Sequence, residues 1–208
     1  MELMTGHERG GATAPSTAAM VRVVQDLALT AGDTAARTAV YGSLVLALAE
    51  LTGQADADSA SLRDDSVLAA ARHEVPPDVV AAMGDWIGGR WGAIVTAGAV
   101  LDALDQLNLE PVPPLPDGAL AYRGTAEELA LAAGESCAAV SWAGAQATAR
   151  WLRLYGGRVL NSLAELAAVD PVLTAAGREL AEREKDRVTG WVIGNWIEID
   201  ERATEPAT

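Results

Sequence analysis

Apolar positions along most of this chain recur every three or four residues with polar ones between them, the pattern of helices buried on one side. Val21, Val24, Leu27 and Ala28 share one face of a segment that Ser16 or Thr17 can cap and that runs to Leu29. Gly32-Asp33 stops that helix and opens a second, Thr34 to Leu51, closed by Gly53. The polar, acidic stretch 54–61 reads as a loop, and Leu62 to His73 as a shorter amphipathic helix ended by Pro76-Pro77. No segment alternates with period two, so the pattern predicts an all-α protein.

The stretch from Pro76 to Leu107 departs from this amphipathic rule. It reads as one long helix, opened by the two prolines and Asp78 and stopped before the prolines of 111–116. One side carries Gly88, Gly89, Gly92, Thr96, Ala99 and Ala103; the other carries Trp86, Ile87, Ile94, Leu101 and Leu104. Asp85 and Arg90 are the only charges between Ala81 and Leu101. A helix apolar all round is expected to be buried, which makes 76–107 the expected centre of a bundle.

Downstream, the proline-rich run 110–124 predicts an extended strap. Thr125 and Glu128 have capping-box spacing and predict a helix over 126–155, interrupted by Gly156-Gly157. A further segment covers 158–169, and Asp170-Pro171 opens a last helix through residue 200. The expectation is one domain of six or seven helices over 16–200. Residues 1–15 form a disordered N-terminal segment in this reading, and 201–208 a frayed tail.

Composition narrows the functions. With 208 residues, half of them hydrophobic, the chain can build a core without disulfide or metal support. Its net charge of −14 disfavours nucleic acid and anionic membrane surfaces, since no basic run offsets it. The lone Cys137, inside an apolar helix, reads as a buried hydrophobe rather than a redox or metal site. The first twenty residues lack the basic start and apolar core of a secretory signal, so a cytoplasmic protein is expected. Only His7 and His73 are available as imidazole ligands, neither follows a glutamate by three positions, and no metal or cofactor is expected.

Six tryptophans and no phenylalanine make the aromatic positions conspicuous. Trp86-Ile-Gly-Gly-Arg-Trp91 and Trp191-Val-Ile-Gly-Asn-Trp196 share a pattern, W-[IV]-x-G-[RN]-W. On a continuous helix the two rings of each pair point in different directions, either into two neighbours or into a cavity. Glu135, Trp142, Gln146 and Arg153 fall along one line of the helix expected over 126–155, with Arg150 beside them. Such a stripe is a solvated face or the wall of a pocket.

These features combine into a hypothesis: a cytoplasmic protein that binds, and as a further step transforms, a hydrophobic small molecule in a Trp-lined cavity. Asp85 and Glu135 are its candidate acid/base groups. Trp86, Arg90, Trp91, Thr96, Trp142, Gln146 and Arg150 are the candidate binding residues. The alternative is a non-catalytic module that forms a homodimer or holds a partner through spare apolar helix faces. The two differ in one forecast. The module leaves Asp85 and Glu135 exposed or locked to arginines, whereas the binder places them beside a cavity.

Overall fold

The structure is a computed structural model that describes residues 14–56, 66–107, 115–156 and 163–205. Expectations for 1–13, and those parts of the 54–73, 110–124 and 158–169 segments that fall in the gaps, lie outside the described residues, as do 206–208. Every regular element among the described residues is helical: α1 (Thr17–Ala31), α2 (Ala35–Leu51), α3 (Ser66–Glu74), α4 (Pro77–Gly88), α5 (Trp91–Leu107), α6 (Asp117–Ala132), α7 (Cys137–Leu154), α8 (Leu163–Ala167), α9 (Pro171–Glu179), α10 (Glu182–Gly194) and α11 (Trp196–Thr204). The all-α expectation holds. Among these helices none is long and apolar enough to cross a membrane.

The helix starts follow local chemistry. Ser16, Thr34, Ser136 and Asp170 each accept a hydrogen bond from a backbone N–H in the first turn of the helix that follows. Pro77 and Pro171 occupy first-turn positions, where a missing N–H costs nothing. Gly32 ends α1 with φ 82°, a left-handed conformation that suits glycine.

The number of helices exceeds the expected six or seven because three expected helices are broken. The 76–107 segment turns at Gly89-Arg90. The 126–155 segment breaks at Ala133–Ser136, where Gly134 adopts φ +79° and Ser136 caps a new helix. Its expected start is also displaced: α6 begins at Asp117 and runs straight through Thr125, whose hydroxyl donates back to the Ala121 carbonyl at 2.9 Å instead of capping. The last segment divides at Leu180-Ala181 and again at Asn195, and α11 continues to Thr204 through residues expected to fray.

The centre of the fold is α7, not the 76–107 segment. It packs against α6, α9, α10 and α3, and its Ala-rich faces (Ala138, Ala139, Ala143, Ala147) are fully covered. Small side chains let these neighbours approach closely. Cys137 is buried there, its thiol against the Val67 carbonyl at 3.5 Å. A second layer is formed by α1 and α2, with α4 lying on α2 and α5 on α1.

The expectation that 76–107 is sheathed on all sides is overturned. In α4 only Met83 and Ile87 are buried, and in α5 only Ile94 and Gly98. Apolar composition described these helices correctly, but their outer sides have no neighbour among the described residues. Of the small residues expected to admit close packing, Gly88 and Gly92 face open space.

Gly98 is the position at which α5 closes on α1. A Cβ built there would stand 2.9 Å from Met20 Cγ and 3.2 Å from Pro15 Cβ. Gly98→Ala is therefore expected to lose about 1–3 kcal/mol in urea unfolding, by overpacking. Gly190→Ala, mid-helix in α10 with nothing within 4 Å, is expected to gain roughly 0.5–1 kcal/mol. Equal shifts at both sites would contradict the close α1–α5 approach.

Candidate functional site

Both W-[IV]-x-G-[RN]-W segments prove to be corners between consecutive helices. Trp91 is the first residue of α5 and Trp196 the first of α11. Arg90 and Asn195 occupy the break in each, and each reaches back to the same carbonyl. Arg90 donates to Trp86 O at 3.4 Å and Asn195 Nδ2 to Trp191 O at 2.8 Å. The pattern is thus a side-chain helix stop, with one tryptophan on either side of the turn.

Around the first corner, the Arg90 guanidinium lies 4.6 Å above the Trp86 ring, which meets Tyr41 edge-on at 5.7 Å. Trp91 donates its indole N–H to Gln54 Oε1 at 2.9 Å. Arg90 is exposed, Asp85 is exposed, and Thr96 is exposed with its hydroxyl turned back to the Gly92 carbonyl. The proposition that Asp85 and Arg90 are ionic groups enclosed by protein is corrected: both stand on an outer ridge.

Glu135 is likewise not where a continuous 126–155 helix would put it. It lies in the α6–α7 turn, off the line of Trp142 and Gln146, and takes a bidentate pair from Arg187 at 2.5 and 2.7 Å. That hydrogen-bonded pairing pulls the Glu135 carboxyl below its ordinary range, against a smaller opposing effect of burial. Its stabilising contribution is present above the unfolded carboxyl value and disappears as pH falls through the lowered folded one. Because Arg187 is half exposed, Glu135→Gln is expected to cost no more than about 1 kcal/mol at neutral pH, and nothing in strong acid. Thermal melts of the two proteins across the acid range test this.

Trp142 and Arg150 are half-buried on α7. Lys185 Nζ sits 5.5 Å above the Trp142 ring, and the far edge of that ring approaches Gly177. Gln146 is half-buried on the same helix. Helices α4 and α5 pack on α2 and α1, while α7 packs among α6, α9 and α10. The structure does not bring the candidate residues together around one cavity.

An aromatic group at the α6–α7–α11 junction fills the space a pocket there would need. Tyr122, Trp151, Tyr155 and Trp196 stand with neighbouring centroids 5.3 to 6.3 Å apart. Arg150 lies 4.7 Å over Trp196, a cation–π contact in place of a hydrogen bond for its buried Nε. Asp200 accepts the Tyr122 hydroxyl, and burial together with that bond pushes the Tyr122 phenol well above its ordinary value.

Sequence reasoning missed a partly buried charge network. Arg123 of α6 donates from Nε to Glu127 Oε1 at 2.8 Å and from a terminal nitrogen to Asp170 Oδ2 at 2.9 Å. Asp170 at the same time caps α9, and the Glu127 carboxyl lies directly on the backbone of Gly144 in α7. Burial works against the charged guanidinium, but the two carboxylates outweigh it and hold Arg123 protonated. All of these groups fasten helices to one another. The i,i+4 spacing of Arg123 and Glu127 was the available signal, obscured by the expected helix start at Thr125.

The least expected surface is the outside of α5. Gly92, Ala93, Thr96, Val100, Ala103, Leu104 and Leu107 all face solvent, with Val100 56%, Leu104 57% and Leu107 74% exposed. Asp102 and Asp105 fall on the opposite side of the helix at about 100° per residue, so this outer face carries no charge. Beside it, Val23, Leu27, Thr30, Ala97, Val100, Leu101 and Leu104, with Asp26 of the Arg22–Asp26 pair at the α1 side, line a shallow, mainly apolar groove of about 300 Å³ between α1 and α5. Comparison with known proteins yields no matching family, no matching curated relative and no matching solved structure.

Proposed function

We propose that this chain is a non-catalytic interaction module that docks a helical partner on the outer side of α5 and the adjoining α1 groove. One observation carries the reading: an outer side of α5 that exposes apolar residues and no charge, on a protein of net charge −14. Solvated helices ordinarily place their charges on that side, and contiguous exposed apolar surface marks a place of contact. The exposed Asp85 and the Glu135–Arg187 pair agree with it, being the arrangement the module forecasts. The proposal keeps the protein in the cytoplasm, where Cys137 stays a thiol.

Acid/base chemistry on a hydrophobic small molecule draws no support from these placements, since neither carboxylate lines an apolar cavity among the described residues. Two measurements on one sample separate the readings: mass by light scattering across concentration, and Trp emission during titration with hydrophobic metabolites. The module is expected to leave the emission unchanged, and to give a mass above that of one chain where its partner is a second copy. A single-chain mass with a saturable emission shift would reverse the choice in favour of the small molecule.

A further inference from the structure

We infer that the occupant of this face is a second copy of the same chain, its α5 laid antiparallel along the first with the two-fold axis beside Val100. The inference rests on the interaction reading above and deepens it.

Ala93, Thr96, Val100, Ala103 and Leu107 are separated by alternating steps of three and four residues, the spacing of a seam that packs along another helix. All five are exposed. Side-chain volume is distributed unevenly along this seam. With the flanking residues included, its first half is small, with Gly92, Ala93 and Thr96, and its second half is larger, with Val100, Leu104 and Leu107 around Ala103. A parallel copy would oppose small to small and large to large, leaving a gap at one end and a clash at the other. An antiparallel copy centred on Val100 sets Ala93 against Leu107 of the second copy and Thr96 against Leu104 of the second copy. Both leucines then meet a small residue and Val100 meets its own copy at the axis, so that facing layers interdigitate at interior density. Opposed helix dipoles favour the same direction.

Charge selects the occupant. A basic partner finds only Asp26 at the groove's edge, already paired with Arg22, and an anionic lipid surface finds no Lys or Arg on the α5 seam itself. Two copies of an acidic chain repel at long range, but here they meet neutral side to neutral side, with no ion stripped of water. Isologous pairing also buries the same patch on both copies, so no sticky remainder is left exposed.

Single cysteines test the geometry on the full chain, because the native Cys137 is wholly buried. Under mild oxidation Val100→Cys is expected to form a covalent dimer by itself. Thr96→Cys alone and Leu104→Cys alone are expected not to, since each lies about 12 Å along the axis from its own copy, beyond the roughly 7 Å a disulfide spans. An equimolar mixture of these two variants is expected to cross-link. Self-linking at all three positions would overturn the antiparallel arrangement. A dimer mass without linking at Val100→Cys would overturn this face, both as the dimer seam and as the docking surface. A single-chain mass at every concentration would overturn the second copy as occupant.

Discussion

Replacing Arg123 with methionine is expected to lower the free energy of unfolding by about 1.5–3 kcal/mol, the range for losing charge-assisted hydrogen bonds, because the Arg123 side chain is itself 28% exposed. Glu127 is only 5% exposed, and Arg123 binds it while also holding Asp170, so the substitution removes one cation from two carboxylates. Charge, not packing, is the cause, because methionine retains much of the arginine stem. The double variant Arg123→Met, Glu127→Met is therefore expected to regain most of the loss, with two charges removed and volume kept. Urea midpoints for the single and double variants decide between these accounts. If the double variant is as unstable as the single, the network matters through its shape alone.

Gly144→Ala should lose about 2–3 kcal/mol, although alanine is the better helix former by roughly 1 kcal/mol at an open position. A Cβ at Gly144 would overlap the Glu127 carboxyl, with its Cγ and Cδ also inside normal contact. The methyl therefore displaces the carboxylate that Arg123 holds, and one change disturbs both the α6–α7 approach and the ion network. In a Glu127→Ala background the same Gly144→Ala change is expected to be neutral or stabilising. The coupling between the two, taken from a double-mutant cycle, should reach a few kcal/mol, at the upper end for residues in direct contact.

Much of the fold was legible in local chemistry. The capping residues Ser16 and Asp170 and the prolines 77 and 171 placed helix starts to within a residue, while Thr34, expected as the first residue of the second helix, is its cap. Helix breaks were not legible from periodicity, because apolar spacing runs on through a corner whose two helices each bury a face. The signals that did mark corners were chemical: Gly134 followed by Ser136, and the twin motifs whose Arg90 and Asn195 cap a carboxyl-terminal turn. Burial of 76–107 was misread for a different reason. An apolar helix reports that its surface avoids water, but whether its cover comes from the same chain is decided by elements elsewhere. Of the candidate residues, Asp85, Arg90 and Thr96 stand in solvent and Glu135 answers to Arg187, pairings that depend on three-dimensional neighbours no spacing rule supplies.

The way α5 is fastened has a mechanical consequence. Asp102 near its far end accepts both the backbone N–H and the hydroxyl of Ser16, at 2.6 and 2.7 Å, while Trp91 at its near end holds Gln54. Between these two clasps the helix rests chiefly on α1. Such an element comes away as a single plank rather than fraying inwards from a tip. Its interior amides should take up deuterium in concert, faster than those of α7, and Asp102→Asn should speed that uptake along the whole length of α5 while leaving α7 unchanged.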